Sequence, residues 1–158
     1  MRLRLVLTTH LSADQMAPYW PGIIACLEKY CARYPHDESV DNIIRQCAAG
    51  RRQLWMVLDE KDEVVLAPVT EIVTVDATGA ARFVFVEVGG SRAREAMPLI
   101  TEMEAWARAQ GCTEFDFVGR RGWERLLAPY GYRPEAVIYR KRIPHAEGQH
   151  DSDDNAAQ

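Results

Sequence analysis

Apolar and polar residues along this chain repeat with two periods, and each change of period marks a new element. "RLRLVLT" (residues 2–8) alternates in the manner of a first strand. "LSADQ" places Gln15 three residues after Ser12, a capping-box spacing. Pro18 and Pro21 interrupt that turn, so the main helix is predicted from Pro21, a residue suited to a first helical turn, with Ile23, Ile24, Leu27 and Tyr30 as its apolar face. After the connector "YPHDES", a second helix is predicted from Ser39 to Ala49, ended by Gly50. "RQLWMVLD" (52–59) and "VVLAPVTEIVTVD" (64–76) read as strands around the turn "EKDE", with Pro68 marking a bulge or an edge. In "RFVFVEV" (82–88), Val84, Val86 and Val88 face one way and Phe83 and Phe85 the other, the pattern of a strand buried on both faces. Period two places Glu87 on the Phe83/Phe85 face.

Gly89 and Gly90 then read as a turn. Beyond them Leu99, Ile100, Met103, Trp106 and Ala107 form one helical stripe that ends at Gly111. "EFDFV" (114–118) is a strand. Trp123, Leu126, Leu127 and Tyr130 mark a short helix broken by "YGY", and "EAVIYRKRI" (135–143) is a last strand. The order is β, α, α, a three-strand meander, then α, β, α, β. It predicts an α/β domain, a mixed sheet with helices on both faces, spanning residues 1–143 without an internal repeat.

Charge refines this picture only after it is divided along the chain. The formal net charge of −4 comes from 19 basic and 23 acidic residues. Four of the acids (Glu147, Asp151, Asp153, Asp154) lie in the last residues, which hold no Lys or Arg. Residues 144–158 are therefore expected to form an acidic, disordered tail, and the body is neutral. Within the body, residues 82–142 are the more basic part. That suits a local pocket for a small anion and excludes a nucleic-acid footprint, which needs a strongly basic face. No apolar run approaches a membrane span and no signal-peptide pattern is present, so a cytoplasmic protein is expected. Cys26, Cys31, Cys47 and Cys112 form no CxxC pair, and His10, His36, His145 and His150 are scattered, so no metal is expected.

The order of elements over residues 81–142 resembles the GNAT acyltransferase fold. "EAWARAQGC" looks like the end of that fold's third helix, and "LLAPYGYRPE" like the "YEKLGF" segment after its fifth strand. More narrowly, "GRRQLWMV", "VTEI" and "GRRGWERLLAPYGY" look like small GNAT-like proteins encoded by tailed bacteriophages. The resemblance implies a splayed central strand, with acetyl-CoA in the gap and its pyrophosphate on the loop that opens the third helix. Two positions depart from the family pattern. Its Gln/Arg-x-x-Gly-x-Gly/Ala loop would put glycines where Arg92 and Arg94 stand, and Gln or Arg where Gly89 stands. Its thiolate-protonating tyrosine falls on Leu127, with Tyr130 one turn further on as a substitute.

These matches define the candidate site. Acyl transfer to an amine needs a base, a place for the thioester carbonyl and an acid for the thiolate. Glu87 on the central strand is the first candidate for the base, in an apolar setting that would raise its pKa. The alternative is a carboxylate paired with an arginine at the end of the sheet. Glu71 in "VTEI" is the second candidate, and Tyr130 the acid. Val86, Val88, Gly89, Gly90, Ser91, Arg92 and Arg94, with Arg120 and Arg121 after the fifth strand, would bind the cofactor. The arginines would hold the diphosphate as guanidinium forks in place of backbone amides. A tight turn beneath solvated arginines is the plainer alternative. Two functions follow. One is a phage-type N-acetyltransferase using acetyl-CoA and an unknown amine. The other is an inactive GNAT-fold protein that binds a virion or host partner.

Overall fold

The computed structural model describes residues 2–144; the acidic tail expected at the C-terminus lies almost wholly outside the described residues. Five strands form one sheet in sequence order: β1 (Arg4–Leu7), β2 (Gln53–Leu58), β3 (Val64–Thr74), β4 (Ala81–Gly90) and β5 (Cys112–Phe117). The first three pairings are antiparallel and β4–β5 is parallel, which makes the sheet mixed.

Helices α1 (Ala13–Met16), α2 (Trp20–Arg33) and α3 (Val40–Ala48) lie between β1 and β2 in the chain. The Ser12/Gln15 capping box forms in full and opens α1, so the prolines limit this turn to four residues without abolishing it. Pro21 sits in the first turn of α2, and Ser39 caps α3 through the Asn42 N–H. Ile23, Leu27 and Ile43 pack with Leu54, Met56, Ala67 and Val69 on one face of the sheet. On the other face, Met97, Ile100, Met103 and Ala107 cover Trp55, Phe83 and Phe85. These come from a 3-10 turn at Met97–Leu99 and from α5 (Ile100–Ala109), which follow α4 (Ala93–Ala96). The single amphipathic helix expected here is pinched at Pro98, which has no N–H to give to a preceding carbonyl. α6 (Glu124–Leu127) follows β5.

Three sequence expectations need correction. First, β4 runs through Gly89 and Gly90, which pair with Ala67 and Leu66; the glycines are strand, not turn. A Cβ on Gly89 would stand 2.2 Å from the Cys26 carbonyl oxygen of α2, and one on Gly90 2.4 Å from the Val65 carbonyl oxygen. The pair lets α2 and β3 approach the strand closely.

Second, Glu87 is not on the Phe83/Phe85 face. Phe85 pairs with Thr70 and Glu87 with Val69, so Val86 is an extra residue, a β-bulge. One inserted residue moves everything beyond it to the opposite face. Glu87 joins Val69 on the α2/α3 side, and Val88 takes the α5 side beside Ala93.

Third, "EAVIYRKRI" forms no strand. Residues 132–144 have no regular secondary structure, and Val137, Ile138, Tyr139 and Ile143 are exposed. β propensity alone does not make a strand; Tyr132 bound to Glu104 and Arg140 bound to Asp37 carry the segment away from the β5 edge.

Candidate functional site

β5 accompanies β4 only from Ala81 to Phe85, with one further bond from the Val118 N–H to the Phe85 carbonyl. From Val86 onward the two strands part. Among the described residues no strand pairs with the β5-side edge of Val86–Gly90, the splay that the sequence resemblance implied. The bulge at Val86 lies where the strands separate and turns Glu87 toward α2 and α3.

Glu87 is 3 % exposed. Its Oε1 accepts a hydrogen bond from Arg52 Nη1 at 3.0 Å, while Oε2 is buried without a hydrogen-bond partner. Arg52 also reaches Glu38 Oε2 at 3.2 Å and Glu71 Oε2 at 3.8 Å, so one guanidinium serves three carboxylates. Burial pushes the Glu87 carboxyl up to about 7, against the pull of Arg52, and the nearby charges of Glu38 and Glu71 add to the rise. Burial also pushes Glu38 upward, but the Asn42 amide, the Ser39 N–H and Arg52 outweigh it, and its carboxyl sits below its ordinary value. The cluster thus holds one carboxylate poised near neutrality and another firmly ionised. The Cys47 thiol, desolvated and near Glu87, is pushed up to about 11; desolvation and the same carboxylate also raise Cys31 and Tyr30. None of the three is an anionic nucleophile at neutral pH.

Both base candidates, Glu87 and Glu71, therefore come together. Arg52 and Glu38 were missed. Counting across the β2–β3 hairpin would have found the arginine, since the pair Gln53–Thr70 puts Arg52 opposite Glu71. Glu38 carried a weaker signal, a carboxylate just before the Ser39 cap.

The anion-binding candidates separate. Arg92 has left-handed backbone (φ 57°) at the start of α4 and is held by Glu95, Nη2 to Oε2 at 2.6 Å. Its charge is engaged. Arg94 is exposed and forms no ion pair among the described residues; the same holds for Arg120 and Arg121. Because β4 and β5 are parallel, the segments carrying these three arginines leave the sheet at the same end, where open α/β sheets bind ligands. Ser91 hydrogen-bonds the Val65 carbonyl through its N–H at 2.7 Å, which ties the strand end to β3.

Between the splay and α4–α5 lies an apolar cavity of about 40 Å³, bordered by Phe85, Val88, Met97, Phe117 and Trp123. A water needs roughly 10–15 Å³ on this scale, so the void suits a group of about three heavy atoms. Tyr130 packs its ring against the same core, where Leu127 is buried. Tyr132 donates its hydroxyl proton to Glu104 Oε2 at 2.7 Å, and burial with that bond raises its pKa strongly. Among the described residues no group of His, Cys, Asp or Glu could hold a metal, and no helix is long and apolar enough to cross a membrane.

No protein-family model matches the chain, and no curated protein matches it. Its fold does match solved structures. A GNAT family acetyltransferase from Staphylococcus aureus aligns with a TM-score of 0.61 at 8% identity, over 90% of this chain and 100% of the other. Glucosamine-6-phosphate N-acetyltransferase from Arabidopsis thaliana gives 0.66 at 9%, over 91% and 100%. A Trypanosoma brucei acetyltransferase gives 0.62 at 13%, over 90% and 100%. Identities this low speak to architecture alone, and that architecture, a mixed splayed five-stranded sheet between two helical layers, is the GNAT fold.

Proposed function

We propose that the chain is an N-acetyltransferase that takes an acetyl group from acetyl-CoA and gives it to a primary amine, with Glu87 as the base. The observation that carries this reading is a buried carboxylate, one oxygen unpartnered and the group titrating near neutrality, set where β4 parts from β5. A base is most effective when its pKa lies near the working pH. Here burial and two like charges achieve that, and Arg52 keeps the carboxylate from becoming a permanent acid. Glu87 would take a proton from the acceptor's ammonium, freeing the nitrogen lone pair. With three carboxylates to one guanidinium, the surroundings favour a cationic acceptor over a neutral or anionic one. Glu71, the most exposed of the three, would meet the acceptor first.

Acetyl-CoA would supply the activated thioester. The residues fit its parts unevenly. The free edge of Val86–Gly90 offers backbone N–H and C=O groups to an amide-bearing arm. Arg94, Arg120 and Arg121 have the charge and freedom to hold a diphosphate, whereas Gly89 and Gly90 are committed to packing. Tyr130 is proposed as the acid for the leaving thiolate. Kinship with phage-encoded proteins belongs to this proposal and rests on the sequence motifs alone.

A ligand specific for the folded state adds RT ln(1 + [L]/Kd), about 2.7 kcal/mol at a hundredfold excess over Kd. For a domain of this size that raises the melting temperature by roughly 5–10 °C. Saturating acetyl-CoA should do so, and replacing Arg94, Arg120 and Arg121 with alanine should shrink the shift. Glu87→Gln should keep the shift yet lower acetyl transfer to an amine panel by roughly 10²–10⁴-fold. A folded sample with no shift at millimolar acetyl-CoA would sink the proposal and leave the non-catalytic partner-binding role.

A further inference from the structure

The face of the sheet that carries Glu87 holds a second charged cluster, built like the first. Period two places Glu71 of β3, Arg82 and Val84 of β4, and Glu114 and Asp116 of β5 on that face, away from Phe83 and Phe115. Arg82 reaches Glu114 Oε2 through Nη2 at 2.7 Å and Asp116 Oδ2 through Nε at 3.6 Å. The hydrogen bond to Glu114 holds Arg82 above its ordinary pKa, and the charges of Asp116 and Glu135 add to the rise. One guanidinium thus faces three carboxylates, as Arg52 does among Glu38, Glu71 and Glu87. α2 packs on the Gly89 end of β4 and leaves this part of the face accessible. The side chain of Asp116 is 49 % exposed and that of Glu71 35 %.

The register sets the order of these groups. Glu71, Val84 and Asp116 lie side by side on adjacent strands, so an aliphatic side chain separates the two carboxylates. Two strand spacings put their Cα atoms about 10 Å apart. Glu71 shares Arg52 with Glu87, whose Oε2 is buried without the donor that a buried carboxylate oxygen normally has. The face therefore runs from negative charge through hydrocarbon to negative charge. We propose that the acceptor is a linear aliphatic polyamine: its reacting nitrogen enters at Glu87, its stem crosses Val84, and a second ammonium is held by Asp116. A hydrocarbon stem with a charge at each end matches this row, whereas a peptide would lay backbone amides over Val84 without partners. The nitrogen gives its proton to Glu87 and bonds to the acetyl carbon as the carbon–sulfur bond breaks. The electron pair goes to sulfur, which Tyr130 protonates. The product has lost one ammonium and is held less tightly. This assignment of the acceptor rests on the acetyltransferase reading; binding of the polyamine does not.

Titration calorimetry on the full chain, at low salt and without acetyl-CoA, tests the site with α,ω-diamines of increasing length and monoamines of matched length. A diamine long enough to bridge the row should bind about fivefold or more tightly than its monoamine, the upper range for a partly exposed ion pair. Asp116→Asn should remove most of that advantage, and Asp116→Lys should reverse it. Asp116 is exposed, and melting curves check that both variants fold. With acetyl-CoA added, the kcat/KM advantage of the diamine over the monoamine should fall in the same order. Equal affinity for diamine and monoamine would overturn the proposal. So would a diamine preference indifferent to Asp116→Lys, or tighter binding of a lysine-rich peptide than of any diamine. Acetyl transfer to monoamines with no diamine preference would overturn it too, and leave the acetyltransferase reading intact. A diamine held through Asp116 but never acetylated would overturn the acceptor assignment together with that reading, and leave a polyamine site without transfer.

Discussion

Replacing Glu87 with glutamine should make the protein less sensitive to pH, and the size of the effect follows from the site. The folded-state pKa of Glu87 is about 7, against an ordinary value of 4.5. At about 1.36 kcal/mol per unit, that difference is worth roughly 3 kcal/mol. Below pH 4.5 Glu87 is protonated in both states and its stabilising preference for the folded state is fully present. As the pH rises, the unfolded chain releases its proton first, and the contribution is lost progressively until the folded group ionises near pH 7. Above that, the protein carries a buried carboxylate with one oxygen unpartnered. Glutamine has nearly the same shape, can still accept from Arg52 and never ionises. Urea titrations of both proteins from pH 4.5 to 8 should converge at the acid end, and by pH 8 should diverge by roughly 3 kcal/mol in favour of the variant. Other titrating groups are common to both proteins and largely cancel in the difference. Parallel stability curves across this range would refute the reasoning, because they would mean that Glu87 ionises in the folded protein as it does in water.

Gly89→Ala should destabilise the fold by roughly 2–3 kcal/mol, the range of an overpacked core, because the new Cβ meets α2 backbone that cannot rotate away; a denaturant midpoint close to the wild type would show that α2 is free to move. Trp55→Phe removes the 2.9 Å hydrogen bond from Nε1 to Thr70 Oγ1 and leaves space beside Trp106, so a loss of roughly 1–3 kcal/mol is expected in the same measurement; no loss would show that this buried polar link contributes nothing net.

The architecture was legible because its signals are local. The capping box at Ser12, proline in the first turn of α2 and the helix end at Gly50 each depend on a few adjacent residues, and all appear in the structure. What failed was non-local. "RFVFVEV" alternates without a break, so nothing inside it reveals that Val86 is extra; the insertion exists only relative to β3. Pro68 hinted at an irregularity, and the register shift falls beside it, between Val69 and Thr70, with its consequences in the neighbouring strand. The glycine pair was read as a turn because its reason is the approach of α2, whose path the sequence does not state. Glu87 was found as a candidate, but its setting beside Arg52 and Glu38 came from the register of three strands and the start of α3. The segment 135–143 was read from propensity, which says what a strand is made of and not that an ion pair between Arg140 and Asp37 holds the segment elsewhere.

That the strands lie in the sheet in the order of the chain has a consequence for how the molecule forms. β2, β3 and β4 are joined by the short turns at residues 59–63 and 75–80, so their pairing closes small loops at low entropic cost. β1 must wait for the helical excursion of residues 8–52 to fold back, and β5 for the crossover of residues 91–111. Contacts between distant parts of the chain form late, and parallel pairing later still. The meander that sets the register of Arg52, Glu71 and Glu87 is thus the natural nucleus, formed before either flank docks. The parallel partner, whose departure from β4 opens the splay, docks on that nucleus. Assembly is then expected to run from the centre outward, with Arg52, Glu71 and Glu87 brought into register before Glu38 and the cleft are added.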